Sequence, residues 1–294
     1  MPRGNWPSRS RPTTAASEVT RVGVDEARVA ATLHHQNIVQ VHDIGEADGE
    51  YFIAMEYIHG EDVRTLLSRA SKARSHVPLG QVITIVAAAA AGLHYAHERR
   101  SSDGKPLGIV HRDISPPNIL ISKRGEVKLA DFGLAKATSQ LENTDPGVVK
   151  GKFSYLSPEA ARGEEVDCRS DIFATGILLY ELLVGKRLFD GETDYKTVQL
   201  VRQAQVPSLT AQNPEITPEL EAIVRRALHK DATERFQRAE DLGDAIAQYL
   251  FSRGMKVTSR DIEQLIARCL SERQRSKPQK PVGSLIDNLI QDEI

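Results

Sequence analysis

Only two cysteines, Cys168 and Cys269, occur in the chain, and they lie far apart in sequence. Two thiols so placed offer neither a metal-ligand spacing nor a disulfide framework, so a reducing, cytoplasmic setting is expected. Charge imbalance is missing too. The 38 basic and 40 acidic residues leave a net charge of −2, and nothing in that balance favours a nucleic-acid or membrane-surface partner. Long apolar runs are also scarce. The most apolar stretch, Val82 to Leu93, is Ala-rich and shorter than the roughly 20 residues that a bilayer core requires. The N-terminus shows no apolar core region of the secretory-leader kind, and no internal repeat is apparent. What is present is ordinary: 40% hydrophobic and 27% charged residues over 294 positions, enough for one large or two small domains with a sizeable core.

In chain order, residues 1–21 are rich in Pro, Ser, Thr and Arg. That composition buries too little apolar surface to offset ordering, which predicts a disordered, solvated tail. Residues 25–34 carry Ala27, Ala30, Ala31 and Leu33 on a helical period. Residues 38–44 and 50–58 predict two strands joined by a turn at 45–49. Gly60-Glu61-Asp62 breaks the pattern, and Asp62 is placed to cap a helix running through Leu67. A long helix is expected over 79–99, with a polar turn at 101–106. Short strands are expected at 108–110, 119–121 and 126–130. Periodicity then lapses until Ser157-Pro158-Glu159. The run 172–184, apolar all round, predicts a buried helix with Asp171 at its start. Amphipathic helices follow over 193–204, 218–229 and 239–251, with Thr193 and Thr217 as N-caps of the first two. A helix over 259–270, a basic stretch at 273–280 and a short amphipathic piece at 284–290 complete the chain. Strands come first and helices later, which is an α+β arrangement.

The chemistry concentrates in two stretches. His111-Arg112-Asp113 is followed by Asn118, and then by Ile119 and Leu120; further on comes Asp131-Phe132-Gly133. Phosphoryl transfer needs phosphates and a hard cation held still, and an acceptor hydroxyl aligned. Two carboxylates and an amide oxygen on short loops, supplied by Asp113, Asn118 and Asp131, are suited to that task.

This ordered set resembles the catalytic and magnesium-binding loops of the Ser/Thr protein kinases. Ser157-Pro158-Glu159 resembles the family's Ala-Pro-Glu. Asp171 with Gly176 resembles its buried helix, and Arg235 the arginine that pairs with the Pro-Glu carboxylate. The wording of 114–117 and 150–155 and the insertion at 103–106 look like bacterial kinases, especially those of myxobacteria. The resemblance runs over about residues 22–251. It implies a bilobal kinase-like fold with an incomplete N-terminal lobe (22–58), a mainly helical C-terminal lobe (59–251) and a helical, basic extension (252–294). It implies ATP as phosphate donor, Mg2+ as cofactor, and a protein substrate with a Ser or Thr acceptor, with no nucleic-acid or membrane partner. By it, Asp113 orients the acceptor hydroxyl, Asn118 and Asp131 hold magnesium, Phe132 packs beneath the loop and His111 braces it. Met55-Glu56-Tyr57-Ile58 resembles the hinge, where backbone groups of Glu56 and Ile58 bond adenine. Asp62 either reaches the ribose or only caps its helix. Leu120 either floors the adenine or simply packs in the core. Glu26 stands where the helix-C glutamate belongs, or is a solvated helix charge. Thr138, Ser139 or Thr144, once phosphorylated, would pair with Arg112; the alternative is an unmodified mobile loop.

The chain departs from the family at its front. No G-x-G-x-x-G precedes Glu26, and the first lysine of the chain is Lys72. The phosphate-cradling hairpin and its lysine are therefore expected to be missing, as in an N-terminally truncated kinase, leaving a hairpin edge uncovered and Glu26 without its partner. Ser115 replaces the usual lysine of the catalytic loop, and Lys152 stands where a threonine is common. Neither of these two is read as inactivating, because both recur in the bacterial kinases that the chain resembles; the missing hairpin and lysine predict a poor or inactive kinase. They keep open a second reading, a non-catalytic kinase-like scaffold or truncated gene product. A third, a small-molecule phosphotransferase, is disfavoured by Ser157-Pro158-Glu159, Asp171 and Arg235, which build a protein-substrate platform.

Overall fold

The computed structural model of the protein describes residues 30–276, except 48–49, 74 and 133–151. Glu26, Gly133, the three candidate phosphorylation positions and the 284–290 segment lie outside the described residues.

Two strands, β1 (Val41–Ala47) and β2 (Glu50–Met55), form an antiparallel hairpin with a register shift between Val41 and Asp43. Phe52 and Met55 of this hairpin are 45% and 40% exposed. A second, three-stranded sheet has the order β3 (Gly60–Asp62), β4 (Ile119–Ser122), β5 (Val127–Leu129). β3 was not expected. Three residues are too few to show a period, and its formation depends on a partner strand far along the chain, with Gly60 opposite Ser122 and Asp62 opposite Leu120. A Cβ on Gly60 would lie 1.8 Å from the Ile121 carbonyl oxygen, so only glycine allows this close pairing. The expected strand at 108–110 is absent; these residues are irregular, and Leu107 instead bonds back to the Arg99 carbonyl.

The large lobe is helical. α1 (Val63–Lys72) starts at Asp62, whose carboxylate accepts from the Thr65 N–H at 2.6 Å. α2 (Leu79–His97) runs through the centre. At 19 residues it is long and apolar enough to cross a membrane by length and composition alone, so the shortness expected of this stretch does not decide its role. Burial does: Val82, Ile83, Ile85, Val86 and Leu93 are fully buried, packed against β5 and two later helices. α3 (Pro158–Arg162) is capped by Ser157 and ends at left-handed Gly163. α4 (Cys168–Val184) is buried along nearly its whole length, and its N-cap is Asp167, four residues ahead of Asp171. α5 (Asp194–Gln203) and α6 (Pro218–Ala227) begin at Thr193 and Thr217 as expected, each hydroxyl accepting a first-turn N–H. α7 (Ala239–Ser252) packs against α2 and α6. α8 (Ser259–Ser276) lies against β3, β4 and α1, with Ile262, Ile266 and Cys269 buried. Small sheets lead into a helical body, so the fold is α+β.

Candidate active site

Residues 111–118 form a loop that ends in a single 3-10 turn, Pro116–Asn118, feeding directly into β4. The loop is held from below by the first turn of α4. The Asp171 carboxylate is buried there and accepts from the backbone N–H groups of His111 (2.8 Å) and Arg112 (2.9 Å) and from the His97 ring at 2.7 Å. Burial alone would raise this carboxyl, but the hydrogen bonds from the His97 ring and the His111 backbone N–H hold it below the ordinary value. The His111 ring is fully buried and packs 4.4 Å from the Phe132 ring. One ring nitrogen accepts from the Asp113 N–H, so the other carries the hydrogen that the Ala130 carbonyl accepts. Burial lowers the pKa of His111 despite neighbouring carboxylates, so it braces the loop as a neutral ring.

Asn118 joins the two chemical stretches. Its side-chain amide donates to the Asp113 carbonyl (2.8 Å) and carboxylate (3.0 Å), and its backbone carbonyl accepts from the Ala130 N–H. Asp131 follows immediately, at φ 60°. Partial burial, with the Asp113 carboxylate adding to it, raises the Asp131 carboxyl above its usual range. An Asp131 carboxyl whose ionisation is opposed by burial and by a neighbouring carboxylate, beside an amide oxygen, belongs to a donor set that a hard divalent cation would relieve. Oxygen donors of this kind, a carboxylate and an amide oxygen, fit magnesium, a hard cation that keeps several water and phosphate ligands.

On the other side of this cleft lies the segment after β2. Ile38, Val41, Ile53, Met55, Leu129 and Asp131 line an apolar crevice that ends at the Asp131-Phe132 pair. Glu56 donates its N–H to the Gln40 carbonyl, while its carboxylate accepts from the Gln40 N–H (2.8 Å) and from Lys128 (2.6 Å). Burial would raise this carboxyl; the hydrogen bonds from Lys128 and Gln40 more than offset it and the pKa falls. Asp62 is tied to the α1 N-terminus, so its capping role is realised. Leu120 is half-buried on β4, paired with Lys128 on one side and Asp62 on the other. The structure thus gathers Asp113, Asn118 and Asp131 at one end, and Glu56, Asp62 and Leu120 on or beside the two sheets.

Below the cleft, Arg235 makes a two-pronged pair with Glu159, both contacts 2.7 Å, and its side chain is fully buried. Ser170 donates to the same carboxylate at 2.7 Å. Burial pushes the Glu159 carboxyl up, but these bonds win and bring it down to about 2. Nearby, the Tyr155 hydroxyl donates to the buried Glu181 carboxylate at 2.7 Å.

Sequence reasoning missed Lys128 and His97. A lysine between buried Val127 and Leu129 was a usable signal, because a buried-edge charge needs a partner. Which carboxylate it meets depends on strands brought together from distant parts of the chain. His97 gave no local sign beyond its place at a helix end.

The Protein kinase domain family matches residues 11–279. MasK, a tyrosine-protein kinase of Myxococcus xanthus, is 47% identical over 226 residues, which is 77% of this chain and 35% of that protein. The serine/threonine-protein kinase PrkC of Bacillus subtilis is 39% identical over 217 residues, 74% of this chain and 32% of that protein. PknB of Mycolicibacterium smegmatis, also a serine/threonine-protein kinase, is 38% identical, covering 74% of this chain and 34% of that protein. The chain therefore spans about a third of the length of these relatives.

Proposed function

The chain belongs to the protein kinase family, and from that premise we propose that it transfers the terminal phosphate of ATP to Ser and Thr hydroxyls of protein substrates. The observation that carries this is the bond from the Asn118 amide to the Asp113 carboxylate, with Asp131 next to it and Asp171 suspending the loop. Held so, Asp113 is fixed to align an incoming hydroxyl and accept its proton. The Asn118 nitrogen is committed to Asp113, so its oxygen is the atom left for a cation, and Asp131 supplies the second ligand. Magnesium, when bound, neutralises phosphate oxygens and orients them for in-line displacement. Backbone groups of Glu56 and Ile58 receive adenine, Leu120 lies beneath it, and the oxygen of Asp62 not used in capping turns to the ribose. A cytoplasmic setting supplies both ATP and reduced thiols.

Two of the three relatives above carry serine/threonine names and one a tyrosine name, so acceptor type is part of the test. The 294-residue chain is incubated with labelled Mg-ATP and a mixed protein substrate, and the phosphorylated residues are identified after hydrolysis. Label on Ser and Thr, lost in Asp113→Ala, is the expected result. Label on Tyr alone would overturn the acceptor assignment, and label that survives Asp113→Ala would overturn the role of Asp113. A scaffold without nucleotide chemistry would instead show no thermal shift with Mg-ATP.

A further inference from the structure

In an antiparallel hydrogen-bonded pair the two residues exchange both N–H to carbonyl bonds. Val41 faces Met55 in the hairpin, and one residue outward Gln40 and Glu56 meet through a backbone bond. Only half of the expected exchange is made there. The Glu56 N–H donates to the Gln40 carbonyl at 2.9 Å, but the Gln40 N–H donates to the Glu56 side-chain carboxylate at 2.8 Å, not to the Glu56 carbonyl. The same carboxylate oxygen is gripped by Lys128 at 2.6 Å, and both side chains of that pair are largely shielded from water. Among the described residues no backbone N–H outside the strand ladders donates to the Glu56 carbonyl.

We propose that the Glu56 carboxylate, clamped by Lys128, takes the ladder bond that the Glu56 backbone carbonyl would otherwise accept, and so keeps that carbonyl available to the exocyclic amine of adenine. The inference rests on the ATP reading above and deepens it. Lys128 is then a positioning residue for base selection. It stands on β5, three residues ahead of Asp131, so one strand sets both the base-binding segment and the magnesium loop. Its pairing with an acid is not needed to satisfy the strand itself, because β5 bonds through its backbone to β4 and to residues 37–39.

The mechanism makes a distinction that a merely structural pair would not. Without the carboxylate, the Gln40 N–H turns to the Glu56 carbonyl, the ladder closes and the bond to the 6-amino group is lost. A nucleotide without that amino group has nothing to lose. Affinities of the 294-residue chain for ATP and for purine riboside triphosphate, which lacks the amine, are measured by calorimetry beside the thermal midpoint of each variant. Unaltered protein is expected to prefer ATP. Glu56→Ala should cut ATP affinity by about tenfold, the scale of one hydrogen bond, while leaving purine riboside triphosphate unchanged. Glu56→Gln, which retains an acceptor for the Gln40 N–H, should restore most of the preference. Lys128→Met should give the same split in smaller measure, and serves if Glu56→Ala does not fold. Equal losses for both nucleotides, or a preference unchanged in Glu56→Ala and Lys128→Met, would overturn the inference alone. Failure of the unaltered protein to bind either nucleotide would overturn the ATP reading with it.

Discussion

Arg112 adopts φ 65°, a left-handed conformation that costs a residue with a Cβ about 1–2 kcal/mol. The geometry explains why it is held there. Turning the chain at Arg112 points two consecutive N–H groups, from His111 and Arg112, at the single carboxylate of Asp171. His97 adds a third donor. Asp171→Ala would leave these donors unmet in a buried site, and each unmet donor costs about 1–3 kcal/mol. A loss of roughly 3 kcal/mol or more is therefore expected in urea unfolding. Asp171→Asn, which keeps one carboxyl-type oxygen, should cost less. Phosphoryl transfer should fall further in Asp171→Asn than nucleotide affinity does, because the loop carrying Asp113 moves while Glu56 and Leu120 do not. Equal falls in both would show that Asp171 supports the fold without setting the loop. The sequence made this residue legible, since Asp171 heads an apolar helix. It did not reveal His97, whose contact closes across 74 positions.

At the scale of elements, α3 is only five residues long and cannot be stable alone. Its anchor is the Glu159–Arg235 pair, which ties it to the turn before α7, with Ser170 of α4 as a third member. Removing one partner of a buried ion pair typically costs about 3–5 kcal/mol, so Arg235→Met should destabilise on that scale, while the double change Glu159→Met, Arg235→Met should recover part of the loss. The pH dependence follows from the depressed Glu159 carboxyl. Its folded value, about 2, lies below the ordinary 4.5, so the stabilisation is fully present above about 4.5 and disappears as pH falls toward 2. The stability gap between unaltered protein and Glu159→Gln should then be wide at pH 7 and shrink through that window. A gap independent of pH would show that the carboxylate charge is not what anchors α3. Elements also mark where sequence reasoning ran short. α2 and α4 to α7 were legible because caps and apolar periods are local. β3 and the Lys128–Glu56 bond were not, because each exists only when strands from distant parts of the chain meet. The 108–110 segment reads as a strand by its residues, yet among the described residues no strand pairs with it.

On the scale of the whole molecule, the cleft is built by bringing the β1–β2 hairpin, the β3–β4–β5 sheet and the top of α4 to one end of the helical body. α8 closes that arrangement from outside. It packs on β3 and β4, the strands that carry Asp62 and Leu120, and its start crosses the β4–β5 turn so closely that a Cβ on Gly125 would lie 2.3 Å from the Ser259 carbonyl oxygen. Gln81 of α2 donates to the Asp261 carbonyl at 3.1 Å. An amphipathic period and a basic continuation gave the sequence no means of saying what this helix covers. Its buried face holds Ile262 and Ile266, each 1% exposed or less, whereas Phe251 at the end of α7 is 88% exposed. Truncating a buried isoleucine to alanine costs about 2–5 kcal/mol through lost transfer energy and the cavity left behind, so Ile266→Ala should lower stability by that order, and Phe251→Ala by almost nothing. If α8 supports the sheet as its contacts indicate, amide exchange in 60–62 and 119–122 should quicken in Ile266→Ala before exchange in α4 does, because the strands lose their outer cover while the core helix keeps its own. A loss below about 1 kcal/mol, or exchange that quickens evenly throughout, would mean that α8 is not seated on these strands in solution.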